Sequence, residues 1–194
     1  RETATKVLGV WIQEDPSSWE INTRQIMKRT YASMSILTKL KYAGLSRKKL
    51  LHIYSLHIWS SMEYCSVVWH DNLTKAQSSV IERLQMVALK IILGSDCPRK
   101  EDGHFDYFQA LTICKVYVIF SRREKQAIYF GKKCISHPTL KRLVPMNPTI
   151  VNDSHTVRNR ELFHVNRTRT ATYYNSAIPA IQRRLNKQSS YSPP

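Results

Sequence analysis

The sequence contains little glycine and none of the glycine-rich motifs of common nucleotide-binding and hydrolytic enzymes. Only 5 of its 194 residues are glycine, and it has neither a G-x-x-x-x-G-K-[ST] phosphate loop nor a G-x-G-x-x-G dinucleotide motif. A G-x-S-x-G nucleophile elbow is also missing. These absences exclude the enzyme classes that depend on such loops. A glycine-poor chain with 10% aromatic residues favours helices over a β-sandwich with many turns.

Acidic side chains are scarce as well. Asp and Glu total 14 against 30 Lys and Arg, which gives a net charge of +16. The adjacent acidic pairs, Glu14-Asp15 and Glu101-Asp102, fall in predicted loops and do not suit two-metal phosphoryl transfer, so no catalytic residue is predicted. The charge indicates a polyanionic partner: RNA, DNA or an anionic membrane. The alternative is a solubilising surface, although such surfaces usually mix both signs.

Long apolar runs and closely spaced cysteines are also missing. The apolar stretch 116–120 is far shorter than the roughly 20 residues that a membrane span needs, so no span is predicted, and RNA and DNA are the predicted partners in preference to a membrane. The cysteines are Cys65, Cys97, Cys114 and Cys134. Their wide spacings argue against a disulfide framework and favour a reducing, intracellular compartment, either cytoplasmic or nuclear.

The cysteines and histidines leave one metal-binding alternative. Cys97-x6-His104 and Cys134-x2-His137, with further histidines downstream, supply enough ligands for a zinc site on paper. A structural zinc site usually has two tight ligand pairs, and only the second of these pairs is tight. The preferred interpretation is therefore that the chain holds no metal.

The N-terminal half predicts one strand and three helices. These are a strand over residues 5–12, a turn over 14–18, and helices over 20–40, 47–62 and 75–93. The apolar stripe of the first helix comprises Ile26/Met27, Thr30/Tyr31, Met34 and Leu37. Thr74 and Gln77 form a capping box for the third helix, and Gly94 suits its left-handed C-cap.

The C-terminal half predicts shorter helices and an irregular region. The predicted elements are a polar loop over 95–103, a helix over 105–114, a helix from about 121 to 136, and a last helix from about 178. Ser121 and Glu124 read as a second capping box. Prolines interrupt the chain after residue 137, and the tail 188–194 is predicted to be disordered. The predicted fold is therefore mainly α, with a short N-terminal β element and an irregular basic C-terminal region ending in a short helix.

Basic residues interleaved with aromatic residues give the sharpest functional signal. In the C-terminal region they are Arg158, Arg160, Arg167 and Arg169, followed by Tyr173-Tyr174-Asn175. Guanidinium groups bind phosphate in a bidentate manner and tyrosine stacks on bases, so this segment predicts nucleic-acid binding. The alternative is a charged segment that lies over the protein's own acidic or aromatic groups.

A second basic group lies on the first two predicted helices. It comprises Arg24, Lys28, Lys39, Arg47, Lys48 and Lys49. The last three open a helix, where positive charge is unfavourable beside the helix dipole. Phosphate is one candidate reason for their presence there.

Several motifs occur in an order and spacing that resemble non-LTR (LINE-type) retrotransposon reverse transcriptases. They are K-V-L-G-V-W-I at 6–12 with Trp19 after a turn, L-L-H-I-Y at 50–54, M-E-Y-C-S-V-V-W at 62–69, and R-L-Q-M-V-A-L-K-I-I-L-G at 83–94. The matching family positions are Leu8, Gly9, Trp19, Tyr64, Trp69 and Gly94. Weaker similarity continues downstream at G-K-K-C-I-S-H-P, V-R-N-R and Y-N-S-A-I-P.

The resemblance implies a fragment downstream of the polymerase centre. Residues 1–20 would be the end of the palm, 21–94 a helical thumb, 95–137 a further helical region, and 138–194 a basic C-terminal region. The thumb would hold the template–primer duplex of RNA and DNA against the upstream palm. The family's Y/F-A-D-D motif, whose aspartates hold catalytic Mg²⁺, is absent here. The chain alone is therefore expected to bind no cofactor and to be inactive as an RNA-directed DNA polymerase.

An alternative function comes from a different class of protein. The chain would then be a domesticated or degraded remnant that acts as a helical protein-interaction module. In that case its apolar stripes would bury a partner, and its charge would be incidental.

Overall fold

A computed structural model describes residues 3–15, 17–147, 161–165 and 167–189. The strands are β1 (Ala4–Val7) and β2 (Val10–Gln13). The α-helices are α1 (Glu20–Tyr42), α2 (Arg47–Ile53), α3 (Ser60–Glu63), α4 (Ser66–Trp69), α5 (Lys75–Leu93), α6 (Tyr107–Cys114), α7 (Ile119–Ser136), α8 (Ala171–Tyr174) and α9 (Ala177–Ser189). A π-helical segment, Tyr54–Trp59, joins α2 to α3. The predicted fold class, mainly helical with a short N-terminal β element, is confirmed.

The chain divides into two structural units. The first unit comprises residues 1–65 and 73–122, and the second comprises 66–72 and 123–194. Helix α7 contributes residues 119–122 to the first unit and the rest of its length to the second. The division of the sequence into end of palm, thumb, further helical region and basic C-terminal region stays a prediction.

The predicted single strand over 5–12 is wrong, because the segment forms a hairpin. β1 and β2 pair in antiparallel fashion, with Val7 opposite Val10. Leu8 and Gly9 make the two-residue turn, with φ values of 46° and 87°. Left-handed backbone at both central residues matches the twist of a tight hairpin, and Gly9 adopts it without steric penalty.

The predicted first helix is confirmed, and it packs against α5. The buried side chains of α1 include Ile26, Thr30, Met34 and Leu37, at the spacing of one helix face. The opposing face of α5 buries Ile81, Leu84, Ala88 and Ile92. The predicted capping box at the start of α5 is also confirmed, since the side chains of Thr74 and Gln77 each accept a backbone N–H bond from the other residue.

One buried amide organises the polar interior of the first unit. The Gln85 side chain is fully buried on the inner face of α5. Its Oε1 accepts from the Tyr54 hydroxyl at 2.7 Å, and its Nε2 donates to the Tyr107 hydroxyl at 2.8 Å and to the Tyr117 carbonyl at 3.0 Å. The π-helical segment, α5, α6 and the loop before α7 are thereby joined at one residue. Burial raises the pKa of both tyrosine hydroxyls, so they stay protonated donors.

The start of α7 corrects a second prediction. The helix begins at Ile119, so Ser121 and Glu124 lie inside it and do not form a capping box. The Ile119 N–H instead donates a hydrogen bond to the carboxylate of Glu82, on α5, at 3.3 Å. A tertiary partner therefore supplies the acceptor that the sequence pattern assigned to a local side chain.

Other element boundaries differ from the predictions by small amounts. The helix predicted over 105–114 begins at Tyr107, after the N-cap Asp106, and residues 115–118 form a short connection. The last predicted helix is confirmed and extends to Ser189, so Gln188 is helical rather than disordered. Residues 190–194 lie outside the described part of the chain.

The second unit has its own core. It contains Ala127, Cys134, Val144, Phe163, Ile181 and Leu185. A Cβ at Gly131 would lie 2.5 Å from Ile181 and 3.0 Å from Leu185, so the absence of a side chain lets α7 and α9 pack closely. The Asn186 side chain accepts from Phe163 N–H at 2.8 Å and donates to its carbonyl at 3.0 Å, which fixes this segment on α9.

A buried charge cluster also lies in the second unit. Arg184 on α9 donates two hydrogen bonds to Asp71, at 2.7 and 2.5 Å, and lies 3.6 Å from Glu124. His70 beside it is only 4% exposed. Burial, reinforced by Arg123, lowers the pKa of His70 to about 4 from an ordinary 6.5.

We expect Gln85→Leu to lower the free energy of unfolding by roughly 2–4 kcal/mol, because it leaves the Tyr54 hydroxyl and the Tyr117 carbonyl buried without their partner. Tyr54→Phe should cost less, since only one acceptor is left unpaired. Urea unfolding measures both. The loss measured for the Gln85→Leu/Tyr54→Phe double variant should be about 1 kcal/mol smaller than the sum of the losses of the two single variants. Strict additivity would show that the pair is not coupled.

The buried histidine predicts a pH dependence of stability. The folded-state pKa of His70 lies below its unfolded value, so between pH 6.5 and about 4 the unfolded chain binds more protons. Stability should therefore fall as the pH drops, by roughly 2 kcal/mol from pH 7 to 5. Urea midpoints at the two pH values test this, with His70→Gln removing the dependence and exposed His137→Gln as the matched control. An unchanged pH slope in His70→Gln would contradict it.

Candidate nucleic-acid interface

The outer face of α1 carries both cations and aromatic rings. Its exposed residues Arg24, Lys28, Tyr31, Ser35, Lys39 and Tyr42 are named here the outer stripe. At 3.6 residues per turn these positions fall within an arc of about 80° along a helix about 34 Å long. The stripe is opposite the face that packs on α5, so its exposure follows from the core packing of the helix.

The aromatic members of the outer stripe were not among the predicted site residues. Tyr31 was assigned to the buried stripe of α1, but its side chain is 51% exposed, and Tyr42 is 88% exposed. Thr30, the neighbour of Tyr31, takes the buried position instead and lies 3.2 Å from the Ser61 hydroxyl. The sequence could have indicated this exposure, because Tyr31 falls on the same helix face as Arg24, Lys28 and Tyr42.

The cations of the outer stripe differ in how they are engaged. Arg24 forms an ion pair with Glu20 at 2.7 Å, one helical turn away, with both side chains largely exposed. Such surface pairs contribute little, so Arg24 can exchange this carboxylate for another anion. Within the described residues, no carboxylate pairs with Lys28 or Lys39.

The basic start of α2 follows the outer stripe after the four residues 43–46. Arg47, Lys48 and Lys49 are all exposed, as the sequence predicts for phosphate contacts. Arg47 pairs with Asp96, and this carboxylate offsets the positive charge of the guanidinium. Lys48 and Lys49 instead border an apolar groove of about 790 Å³, whose other lining residues include Leu45, Leu51, Cys114 and Val116.

The predicted C-terminal site is only partly described. Arg167 and Arg169 are exposed and belong to the second unit, whereas Arg158 and Arg160 lie outside the described residues. The Arg183 guanidinium covers one face of the Tyr174 ring at 3.6 Å, and Nη1 donates to the Tyr174 carbonyl at 2.6 Å. That ring is therefore partly engaged within the protein.

The residues singled out as family positions have structural roles. Tyr64 donates its hydroxyl to the Leu8 carbonyl at 2.8 Å and lies against Gly9, so two of the separate motifs meet at the hairpin turn. Trp19 and Trp69 are buried. Gly94 has a φ of 59°, and a Cβ there would clash with the Lys41 side chain. That side chain donates to the Ile92 carbonyl at 2.7 Å and so caps the end of α5.

Glu63, which belongs to the third motif, takes part in a buried ion pair that the sequence analysis did not predict. Glu63 accepts two hydrogen bonds from Arg122, at 2.6 and 2.9 Å, and the guanidinium lies 3.1 Å from the centroid of the Trp59 ring. Both charged groups are partly or fully buried. Arg122 is therefore a structural cation that is unavailable to a ligand.

The described residues were also considered as ligands for a metal ion. No group of three or more His, Cys, Asp or Glu side chains there has a geometry that would hold a metal ion. All four cysteines are free thiols, and burial raises the pKa of Cys114 and Cys134. In the described ranges, no helix combines the length and the apolar character needed to cross a bilayer. The chemistry that the outer stripe offers is electrostatic contact and ring stacking.

The sequence and the fold were compared with known proteins. No family model matches the chain, and neither a curated protein nor a solved structure is significantly similar to it.

Proposed function

We propose that this chain is a nucleic-acid-binding segment of a non-LTR retrotransposon reverse transcriptase, comprising the palm–thumb junction, the thumb and the downstream region. It grips the template–primer duplex and RNA, and it performs no catalysis by itself. The intact polymerase supplies the palm, with its aspartates and Mg²⁺. The sequence motifs support the family, and the outer stripe of α1 supports the activity.

The outer stripe carries the proposal because its composition suits a nucleic-acid backbone. Lysine and arginine side chains neutralise phosphates and release condensed counterions. Tyrosine rings between them offer surfaces on which unpaired bases stack. The rigid helix holds these groups in a row, and neighbouring positions on one face are separated by about 5–6 Å.

The orientation of α1 makes the interface independent of the core. Every member of the stripe faces away from α5, so its substitution leaves the buried side unchanged. Contacts of this kind read the backbone and not the base sequence, and therefore predict binding with little sequence preference.

A helical protein-interaction module is the second candidate function. The apolar groove beside Lys48 and Lys49 favours it, because grooves of this character often receive apolar side chains of a partner. If the chain is such a module, the outer stripe is a solubilising surface, and substitutions in the stripe should leave binding of the partner unchanged.

The first expected outcome concerns salt. Binding to a labelled RNA–DNA hybrid should weaken linearly in log salt, and the Lys28→Gln/Lys39→Gln variant should lower the magnitude of that slope by about 2, since each lysine neutralises about one phosphate. Fluorescence anisotropy at several salt concentrations measures the slope, with an unrelated polyanion as competitor.

The matched control is Lys75→Gln/Arg83→Gln, which removes the same charge from exposed positions of α5. It should change the slope by less than about 1. Equal effects of the two double variants would attribute binding to net charge and not to the outer stripe. An absence of hybrid binding even at low salt would overturn the proposed function and favour the interaction module.

The second expected outcome concerns the rings. Tyr31→Leu/Tyr42→Leu should weaken binding to single-stranded RNA by at least about fivefold for each ring that stacks, because one stacked base contributes about 1–3 kcal/mol. Binding to the paired hybrid should change less, since its bases are already stacked. Tyr31→Phe/Tyr42→Phe keeps the rings and should bind nearly as wild type. If the leucine and phenylalanine variants bind single strands alike, the rings do not stack on bases.

A further inference from the structure

A second cavity in the first unit lies between the end of α5 and the loop that leads to α6. Its volume is about 410 Å³. The lining residues are Lys90, Gly94, Cys97, Arg99, Gly103, His104 and Phe105. No carboxylate lines it, in contrast to the acidic residues Asp96, Glu101 and Asp102 elsewhere on the same loop. The lining therefore combines cationic and N–H donor groups with one aromatic ring.

Backbone hydrogen bonds fix the shape of the loop that lines one side of the cavity. Arg99 and Phe105 form an isolated antiparallel bridge. Around it, Lys100 N–H donates to the His104 carbonyl at 2.8 Å, and Asp106 N–H donates to the Pro98 carbonyl at 2.9 Å. The Asp102 carboxylate, which is not among the groups that line the cavity, accepts the His104 N–H at 2.9 Å. The acidic side chain thus serves the turn itself.

Each of the two cations in the lining contacts another lining residue. Arg99 Nη1 donates to the Gly103 carbonyl at 3.2 Å, which fixes the guanidinium beside the cavity. The Lys90 ammonium lies 4.9 Å from the centroid of the Phe105 ring. Among the described residues, no carboxylate forms an ion pair with Lys90, Arg99 or His104. The Lys90 ammonium and the Arg99 guanidinium therefore have no acidic partner within the described residues.

We propose that this cavity binds a small organic phosphate of about the size of a nucleoside monophosphate. Arg99 and Lys90 bind the phosphate dianion through charge-assisted hydrogen bonds, and the His104 imidazole adds a further donor. Gly103 presents no side chain, and no atom lies within 4 Å of the place that a Cβ would take there, so the anion approaches the backbone closely at this residue.

The volume favours an organic phosphate over the bare ion. Pockets for small organic ligands span about 300–1,000 Å³, and this cavity falls in that range. The Phe105 side chain in the lining gives the organic part an apolar contact. The groove beside Lys48 and Lys49 differs, because its lining is predominantly apolar. The proposal does not rest on the outer stripe and is independent of duplex binding.

The reactivity of Cys97 can report whether a ligand occupies the cavity. Cys97 is a half-buried free thiol in the lining, and its Sγ lies 3.7 Å from the Lys90 carbonyl. Cys65 is also half-buried and free, but it lies outside the cavity. A ligand in the cavity should therefore slow alkylation of Cys97 and leave that of Cys65 unchanged.

The experiment measures the alkylation rate of each cysteine by mass spectrometry in the presence of AMP, adenosine or inorganic phosphate. We expect AMP to slow Cys97 alkylation at least tenfold at saturation, with Cys65 unaffected. Adenosine should give no protection, and inorganic phosphate should require a higher concentration than AMP. Lys90→Gln/Arg99→Gln should raise the AMP concentration for half-protection at least tenfold, whereas Arg83→Gln, on the same helix, should not.

Several results would overturn the proposal. Equal protection by adenosine would remove the role of the phosphate, and equal protection by inorganic phosphate would remove that of the organic part. Slowing of both cysteines would indicate a change in the whole protein. Wild-type protection in Lys90→Gln/Arg99→Gln would exclude these cations. The comparison of the two cysteines in the wild-type chain decides the question even if the double variant does not fold. Loss of hybrid binding in the outer-stripe variants has no bearing on it.

Discussion

The Gln85 amide is the interaction on which the first unit most depends. A primary amide has both an acceptor and two donors, and here all of them meet partners from three other segments. Because the site is fully buried, each partner would be costly to leave unpaired. The network therefore fixes the π-helical segment and α6 relative to α5. The Glu82 carboxylate, one turn before Gln85, extends this order to the first turn of α7.

The same packing determines what the protein presents to a ligand. Because α5 covers one face of α1, the opposite face becomes the outer stripe, with its cations and rings in a row. The end of α5 is capped by Lys41, and the loop beyond it lines the smaller cavity. Cations thus have two separate uses in this unit. Arg122 and Lys41 stabilise the fold, whereas Lys28, Lys39 and Arg99 form no ion pair within the described residues.

Local patterns predicted much of the helical structure but less of the candidate site. The capping box at Thr74 was readable because both of its partners lie within four residues. The same pattern at Ser121 failed because Glu82, distant in sequence, provides the acceptor where α7 begins. Tyr31 was misplaced for a related reason. Thr30 and Tyr31 are adjacent on the helix, and in the structure Thr30 is buried with Ile26, Met34 and Leu37 and contacts Ser61, which leaves Tyr31 outside.

The sequence by itself determined the helical class, the positions of the main helices and the strong positive charge, because periodicity, capping and composition are local properties. It also placed the basic residues on α1 and at the start of α2. Only the tertiary structure decided which cations are free to meet a ligand. Arg122 became a buried partner of Glu63, and Arg99 and Lys90 came to share one cavity. The physical reason is that a charge acquires its role from the groups that surround it in space, and those groups come from distant parts of the chain.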